Sequence, residues 1–136
     1  MRLPTMIFEE TIVVDGPFDE VVDELKSALG TQGFGTLTEI DVQDVLHRKI
    51  GKEIGRYVIV GACNPTLAAR ALDVVPQIGV LLPCNVVVRE EGEQVIVEAM
   101  DPGLMASISG SDDLAPIAGE ARELIANALA DLSAAG

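Results

Sequence analysis

The chain has 136 residues, of which 49% are hydrophobic and only 3% aromatic, and it carries a formal net charge of −13 at pH 7. This length and hydrophobicity predict one domain over residues 1–136, with an aliphatic core that buries roughly 68% of the surface of the unfolded chain. The negative charge excludes general affinity for nucleic acid or for anionic membrane surfaces, because both depend on Lys and Arg side chains.

The same sequence features predict a protein of the cytoplasm. The N-terminal sequence MRLPTMIFEETIVV lacks the apolar stretch of a signal peptide, and no run approaches the ~18 apolar residues of a membrane span. Because the chain has two cysteines and no export signal, we expect both to be free thiols in a reducing compartment. We therefore expect no membrane partner and no nucleic-acid partner.

The first half of the chain predicts alternating strands and helices. Ile, Val and Thr indicate a strand over 6–14, and apolar residues at helical spacing indicate an amphipathic helix over 17–30. Alternating side chains predict a second strand over 34–42, and a short helix or helical turn follows and ends at Gly51. A mostly apolar third strand covers 56–63.

The second half predicts a helix, a β-hairpin and a final helix. The first of these helices covers 64–74, and the fourth and fifth strands cover 81–90 and 94–100. A connection over 101–111 leads to the last helix, which starts near Asp112. This order predicts an α+β fold of two layers, in which helices pack on one face of a mainly antiparallel, five-stranded sheet.

Each of the two cysteines is followed directly by an asparagine, and these dipeptides are the strongest candidates for a site. Cys63 ends the third strand, and Asn64-Pro65 has the composition of a helix start, since Asn is a favoured N-cap and Pro a favoured first residue. The N–H groups of such a helix start would favour a thiolate at Cys63. A cysteine that only fills space in the core is the alternative interpretation.

The second dipeptide lies near the start of the fourth strand. If the third and fourth strands are antiparallel neighbours, Cys63 and Cys84 should lie side by side, with sulfurs within about 6 Å and able to bridge on oxidation. The residues of this predicted ligand-binding or redox site are Cys63, Asn64, Cys84 and Asn85. Under the alternative interpretation, the asparagines only cap a helix and form a hydrogen bond at a strand end.

A basic segment supplies the secondary candidates His47, Lys49 and Arg56. His47 is the only histidine, and its spacing to the two cysteines matches no zinc pattern, so no metal site is predicted. Four basic residues within 48–56 create a local positive field that suits a small anion. A solvated surface is the alternative for this segment.

No motif in the chain assigns a reaction. The sequence contains no G-x-S-x-G, H-E-x-x-H, Walker or C-x-x-C pattern, so it predicts neither an enzyme class nor a cofactor. Gly30, Gly33 and Gly35 follow a helix, whereas a phosphate-binding loop lies between a strand and a helix. We therefore interpret these glycines as turn residues.

Several stretches of the chain resemble a known family. The sequences TEIDV, RYVIVGACNPTLAARAL and IGVLLPCNVVV, with Lys-Ile-Gly at 49–51 and Asp-Pro at 101–102, are similar to the DUF302 family, a domain of unknown function, over roughly 36–102. The resemblance implies a TBP-like α+β fold (β-α-β4-α) and a homodimer, and it brings no established activity. His47 does not belong to the family pattern. The pattern marks Asp41, Lys49, Gly51, Cys63, Asn64, Pro65, Pro83, Cys84 and Asn85.

Two hypotheses of function remain open at this point. The first is a small-molecule-binding or thiol-redox module with its site at Cys63 and Cys84. The second is a structural or protein-interaction homodimer without chemistry at the cysteines; a metal or cofactor carrier is a weaker third. A mean hydropathy of +0.36 predicts more apolar surface than a monomer of this size buries, which favours self-association.

Overall fold

The computed structural model describes residues 11–135, in which strands and helices alternate. The five strands are β1 (Ile12–Val14), β2 (Gly35–Asp41), β3 (Tyr57–Cys63), β4 (Cys84–Glu91) and β5 (Gln94–Ala99). The α-helices are α1 (Phe18–Thr31), α2 (Val42–Ile50), α3 (Pro65–Val74), α4 (Gly103–Ser109) and α5 (Ala115–Ala135). Short 3₁₀ helices cover Pro76–Leu81 and Asp112–Leu114. Within the described residues, no helix is both long and apolar enough to span a membrane.

The strands form one antiparallel sheet in the order β1–β5–β4–β3–β2. The strands β3, β4 and β5 therefore occupy its centre, while β1 and β2 are its edges. Helices α1, α3, α4 and α5 supply the buried side chains that cover one face of the sheet. The predicted α+β fold, with helices on one face of a five-stranded antiparallel sheet, is confirmed.

Alternation along the three central strands determines which side chains enter the core. Every second residue of each strand is buried against the helices, because successive side chains point to opposite faces of a sheet. These buried residues are Val58, Val60, Ala62, Cys84, Val86, Val88, Val95, Val97 and Ala99. They pack in one cluster with Leu25 and Leu29 of α1 and with Ile125 and Leu132 of α5. The core is almost wholly aliphatic, as the composition predicts.

The connection predicted over 101–111 contains helix α4, so that prediction is wrong. The Oδ1 atom of Asp101 accepts a hydrogen bond from the backbone N–H of Gly103 at 2.9 Å and stabilises the first turn. Met105 is buried in the core, and Gly110 ends the helix with a φ of 69°. Residues 6–10 of the first predicted strand lie outside the described part of the chain.

The second strand and the helix that follows it are confirmed; the strand is exposed, and the helix is half-buried on one side. All seven residues of β2 are exposed, and a bulge between Thr36 and Thr38 interrupts its ladder to β3. Helix α2 buries none of its residues. The Oδ1 atom of Asp41 accepts a hydrogen bond from the N–H of Asp44 at 3.0 Å, and Gly51, with a φ of 66°, ends the helix.

The only tyrosine of the chain lies where the segment after α2 returns to the sheet. Tyr57 begins β3, is half-buried and pairs with Arg89 of β4. Just before it, the side-chain amide of Gln43 in α2 donates a hydrogen bond to the carbonyl oxygen of Ile54 at 3.0 Å. This bond fixes α2 to the segment that leads into β3.

Gly61 is the position of β3 at which a side chain has no room. It pairs with Thr38 on β2 and with Asn85 on β4. A Cβ atom on Gly61 would overlap the Thr38 hydroxyl group and lie 2.8 Å from Cγ of Pro83, closer than two carbon atoms pack. The missing side chain therefore allows Thr38 and Pro83 to cover the centre of β3.

We expect Gly61→Ala to lower the free energy of unfolding by about 2 kcal/mol, because overpacked sites typically cost 1–3 kcal/mol. Gly35→Ala is the matched control, since a Cβ on Gly35 of the neighbouring strand would have nothing within 4 Å. Urea denaturation measures both variants. Thr38→Ala should restore part of the stability of the Gly61→Ala variant. Equal losses in the two glycine variants would contradict the close approach at Gly61.

Candidate functional site

The junction of β3 and α3 forms the helix start that the sequence predicts. The Oδ1 atom of Asn64 accepts a hydrogen bond from the backbone N–H of Leu67 at 3.2 Å, and Pro65 occupies the first turn of α3. The turn between α1 and β2 supports this cap, because Gly33 has a φ of 83° and its would-be Cβ lies 3.0 Å from Nδ2 of Asn64. The prediction that Asn64 caps the start of α3 is confirmed.

A cavity of about 40 Å³ lies beneath this junction. The sheet, α3, α4 and α5 supply most of its lining, which is apolar apart from two thiols and one amide. The residues that line it are Phe34, Ala62, Cys63, Asn64, Leu67, Ala68, Ala71, Leu82, Cys84, Pro102, Met105, Leu114, Ile117, Ala118 and Ala121. Three of the four residues predicted as a primary site therefore border one apolar space.

The two cysteines are not an opposed pair. Both are free thiols, and the strand register places Cys84 opposite Ala62, while Cys63 pairs with Gly35 on the other neighbouring strand. The predicted side-by-side arrangement with bridging sulfurs is wrong, since the register differs by one residue from the one that would oppose them. Cys63 and Cys84 share the cavity wall without forming a redox pair.

Burial determines the chemistry of the Cys84 thiol. Removal from water raises its pKa to about 11, and electrostatic repulsion from the Cys63 thiolate contributes in the same direction. At neutral pH the Cys84 side chain is therefore a protonated thiol, which is a poor nucleophile. It contributes to the cavity as a small, polarisable apolar group.

The remaining predicted site residues lie away from the cavity. Asn85 is exposed and points to the face opposite Cys84, as alternation along β4 requires. His47 and Lys49 are exposed on α2, where Nδ1 of His47 lies 2.6 Å from a carboxylate oxygen of Glu53. The structure does not bring these three residues together with the cysteines.

Arg56 has its own partners on α1. Its guanidinium lies 4.4 Å from the ring centroid of Phe18 and donates a hydrogen bond to Oδ1 of Asp19 at 2.7 Å. That hydrogen bond raises the pKa of Arg56. This arrangement pins α1 to the start of β3. Among residues 11–135, no group of three or more His, Cys, Asp or Glu side chains is arranged to hold a metal ion.

Comparison with known sequences identifies the family. The sequence model of the domain of unknown function DUF302 matches residues 10–132. The chain belongs to the DUF302 family. The match extends well beyond 36–102, the part of the chain that carries the recognisable motifs, and it includes α1 and most of α5.

A DUF302 protein of known structure has the same fold. The crystal structure of an uncharacterized conserved DUF302 protein from Bacillus stearothermophilus matches with a TM-score of 0.84 and 28% sequence identity. The similarity covers 91% of this chain and 96% of the other. No curated protein matches the chain significantly. These comparisons establish the family and the fold, and they assign no ligand to the DUF302 domain.

The helical wall of the cavity is the part of the candidate site that sequence reasoning missed. Met105 comes from α4, which was expected to be a loop, and Ile117, Ala118 and Ala121 come from α5. The sequence feature that could have indicated this wall is the mixture of alanines with larger apolar residues in α5, because an alanine leaves unfilled space where it faces the core. These residues are far from Cys63 in the sequence, so the sequence did not show that they line the same cavity.

We expect the raised pKa of Cys84 to make stability fall in alkaline solution. The unfolded thiol loses its proton near its ordinary value of 9.0, whereas the folded thiol keeps it to about 11. The contribution of this thiol to the free energy of unfolding is therefore fully present below pH 9. It is lost as the pH rises to 11, which lowers the free energy of unfolding by about 2–3 kcal/mol in total. Urea denaturation between pH 8 and pH 11 measures this decrease.

Cys84→Ala and Cys63→Ala are the matched controls for this titration. Both variants retain the lysines and the tyrosine of the wild-type protein. The difference between their alkaline losses of stability is therefore due to the Cys84 thiol. The alkaline loss should be smaller in Cys84→Ala than in the wild-type protein and in Cys63→Ala. An identical alkaline loss in all three proteins would contradict a buried, protonated Cys84.

Proposed function

We propose that this DUF302 domain is a small-molecule-binding module whose ligand places a small apolar group in the cavity at the start of α3. The observation that carries the proposal is the cavity itself, because about 40 Å³ remains unfilled beneath the start of α3. Native interiors contain few voids larger than a water molecule. A cavity of this size has room for about three water-sized probes.

The chemistry of the walls supports an apolar guest. Apolar cavities stay dry and accept apolar molecules such as xenon or benzene, whereas a bound water needs two to four polar partners. The one amide at the cavity, Asn64, already uses Oδ1 to cap α3. The protonated thiol of Cys84 contributes only a weak hydrogen-bond donor.

A polar groove next to the cavity supports a ligand with one polar end. This groove of about 380 Å³ shares Asn64 and Leu67 with the cavity, and Thr66, Arg70 and Glu120 also line it. Arg70 and Glu120 form an ion pair there at 2.5 Å. A short aliphatic alcohol has the matching chemistry, since its chain would enter the cavity while its hydroxyl group remains at the groove.

The thiol-redox hypothesis is not part of this proposal. A dithiol site needs two sulfurs within bridging distance and at least one accessible thiolate. Cys84 stands opposite Ala62 in the sheet, and burial keeps its thiol protonated. Binding requires neither condition.

Xenon and a series of alcohols from ethanol to hexanol test the proposal. We expect saturable shifts in the methyl NMR signals of Ala62, Leu67 and Ala118, and affinity that rises with chain length until the cavity is full. Ala118→Leu should weaken binding at least about tenfold, because the new side chain occupies the cavity. Ala126→Leu, at an exposed position of the same helix, is the matched control.

Folding of each variant is checked by circular dichroism. If Ala118→Leu does not fold, Ala68→Val at a half-buried lining position replaces it. Shifts that do not saturate, or equal binding by Ala118→Leu and Ala126→Leu, would show that the cavity is not a binding site.

A further inference from the structure

The polar groove beside the cavity carries an uneven set of charges. Three charged side chains line it, Arg70 from α3 and Glu120 and Glu123 from α5. Arg70 and Glu120 form an ion pair at 2.5 Å, so these two charges offset each other. Within residues 11–135, no basic side chain forms an ion pair with Glu123. The groove therefore keeps one negative charge that the described chain does not neutralise.

The two glutamates of the groove lie close to each other on α5. Residues three apart in a helix are neighbours on its surface, and two like charges at that spacing repel each other. Arg70 is the one cation among the lining residues, and Glu120 already engages it. A cation bound between Glu120 and Glu123 would relieve this repulsion. The charges of the groove thus favour a ligand whose polar end is positive.

The start of α3 also borders the groove, and a helix N-terminus by itself favours an anion. Most of its N–H groups are already used or missing. Pro65 has no N–H group, while Leu67 donates to Oδ1 of Asn64 and Ala68 donates to the carbonyl oxygen of Asn64. This leaves the N–H of Thr66 in the first turn.

An anionic ligand would therefore find one backbone donor at this groove. To reach the guanidinium of Arg70 it would have to displace Glu120, and it would then face two unpaired carboxylates. An ammonium ion meets no such competition. It has three N–H donors and no acceptor, which match the carboxylates of Glu120 and Glu123 and the hydroxyl group of Thr66.

We infer that the ligand of this site is a short aliphatic primary amine, bound as its ammonium ion. Its chain lies in the apolar cavity and passes Leu67, which lines both the cavity and the groove. Its charged end lies in the groove beside Glu123. This inference rests on the small-molecule site proposed above and specifies the polar end of its ligand, for which the alcohols are neutral analogues.

Three probes with short unbranched chains and different polar ends test the inference: n-butylamine, 1-butanol and butyrate. Titrations at pH 7 follow the methyl NMR signals of Leu67 and Ala118. The butylammonium ion should bind at least about fivefold more tightly than butanol, and butyrate at least about fivefold more weakly. Added salt should reduce both differences, because Arg70 and Glu120 are 46% and 52% exposed.

Substitutions in the groove separate this site from the general attraction of cations to a chain of net charge −13. Glu123→Gln should weaken butylammonium binding at least about fivefold and leave butanol binding within about twofold. Glu93→Gln is the matched control, since it removes the same charge at an exposed position between β4 and β5. Arg70→Gln should strengthen butylammonium binding at least about twofold, because it leaves Glu120 unpaired.

The comparison of the three probes on the wild-type protein does not depend on any substitution. Equal affinity for butylammonium and butanol, or equal weakening by Glu123→Gln and Glu93→Gln, would overturn this inference and leave the cavity proposal intact. Tighter binding of butyrate that Arg70→Gln abolishes would overturn it and indicate an anionic ligand. If none of the three probes binds saturably, the proposed function fails together with this inference.

Discussion

The register between β3 and β4 is the constraint on which the rest of the structure depends. Ala62 opposite Cys84 places one set of alternate side chains among the helices and the other set on the opposite face. A shift by one residue would bury Asn85 and expose Cys84. Gly61 supports this register, because its missing side chain leaves the space that Thr38 and Pro83 occupy. The position of the cavity follows from the same pairing.

The cavity is a consequence of what the core is made of. With few aromatic rings available, the walls combine leucine and isoleucine with alanine, and such pairs leave gaps that a larger side chain would fill. Several residues that the DUF302 resemblance marks have structural roles: Asp41 and Asn64 cap helices, Gly51 ends one, and Pro83 covers Gly61. Of these four residues only Asn64 lines the cavity, so the others stabilise the fold outside it.

Local sequence rules predicted the elements well and the proximities poorly. Asn64-Pro65 predicted a helix start, and valine-rich runs predicted β4 and β5, because each signal acts within a few residues. The expected pairing of Cys63 with Cys84 failed by a single position, which periodicity alone does not fix. Helix α4 was missed because Asp101, which accepts a hydrogen bond from the N–H of Gly103 at the start of the helix, also resembles a turn signal. The exposure of β2 depends on the whole assembly of the sheet.

The position of Tyr57 has a practical consequence for spectroscopy. The chain has no tryptophan and this one tyrosine, which begins β3 immediately after the segment that Gln43 ties to α2. Its intrinsic fluorescence therefore comes from one known place instead of averaging over the molecule. That signal reports on the start of β3 and on the segment that leads into it. The wall of the apolar cavity contains neither tyrosine nor tryptophan, since Phe34 is its only aromatic residue.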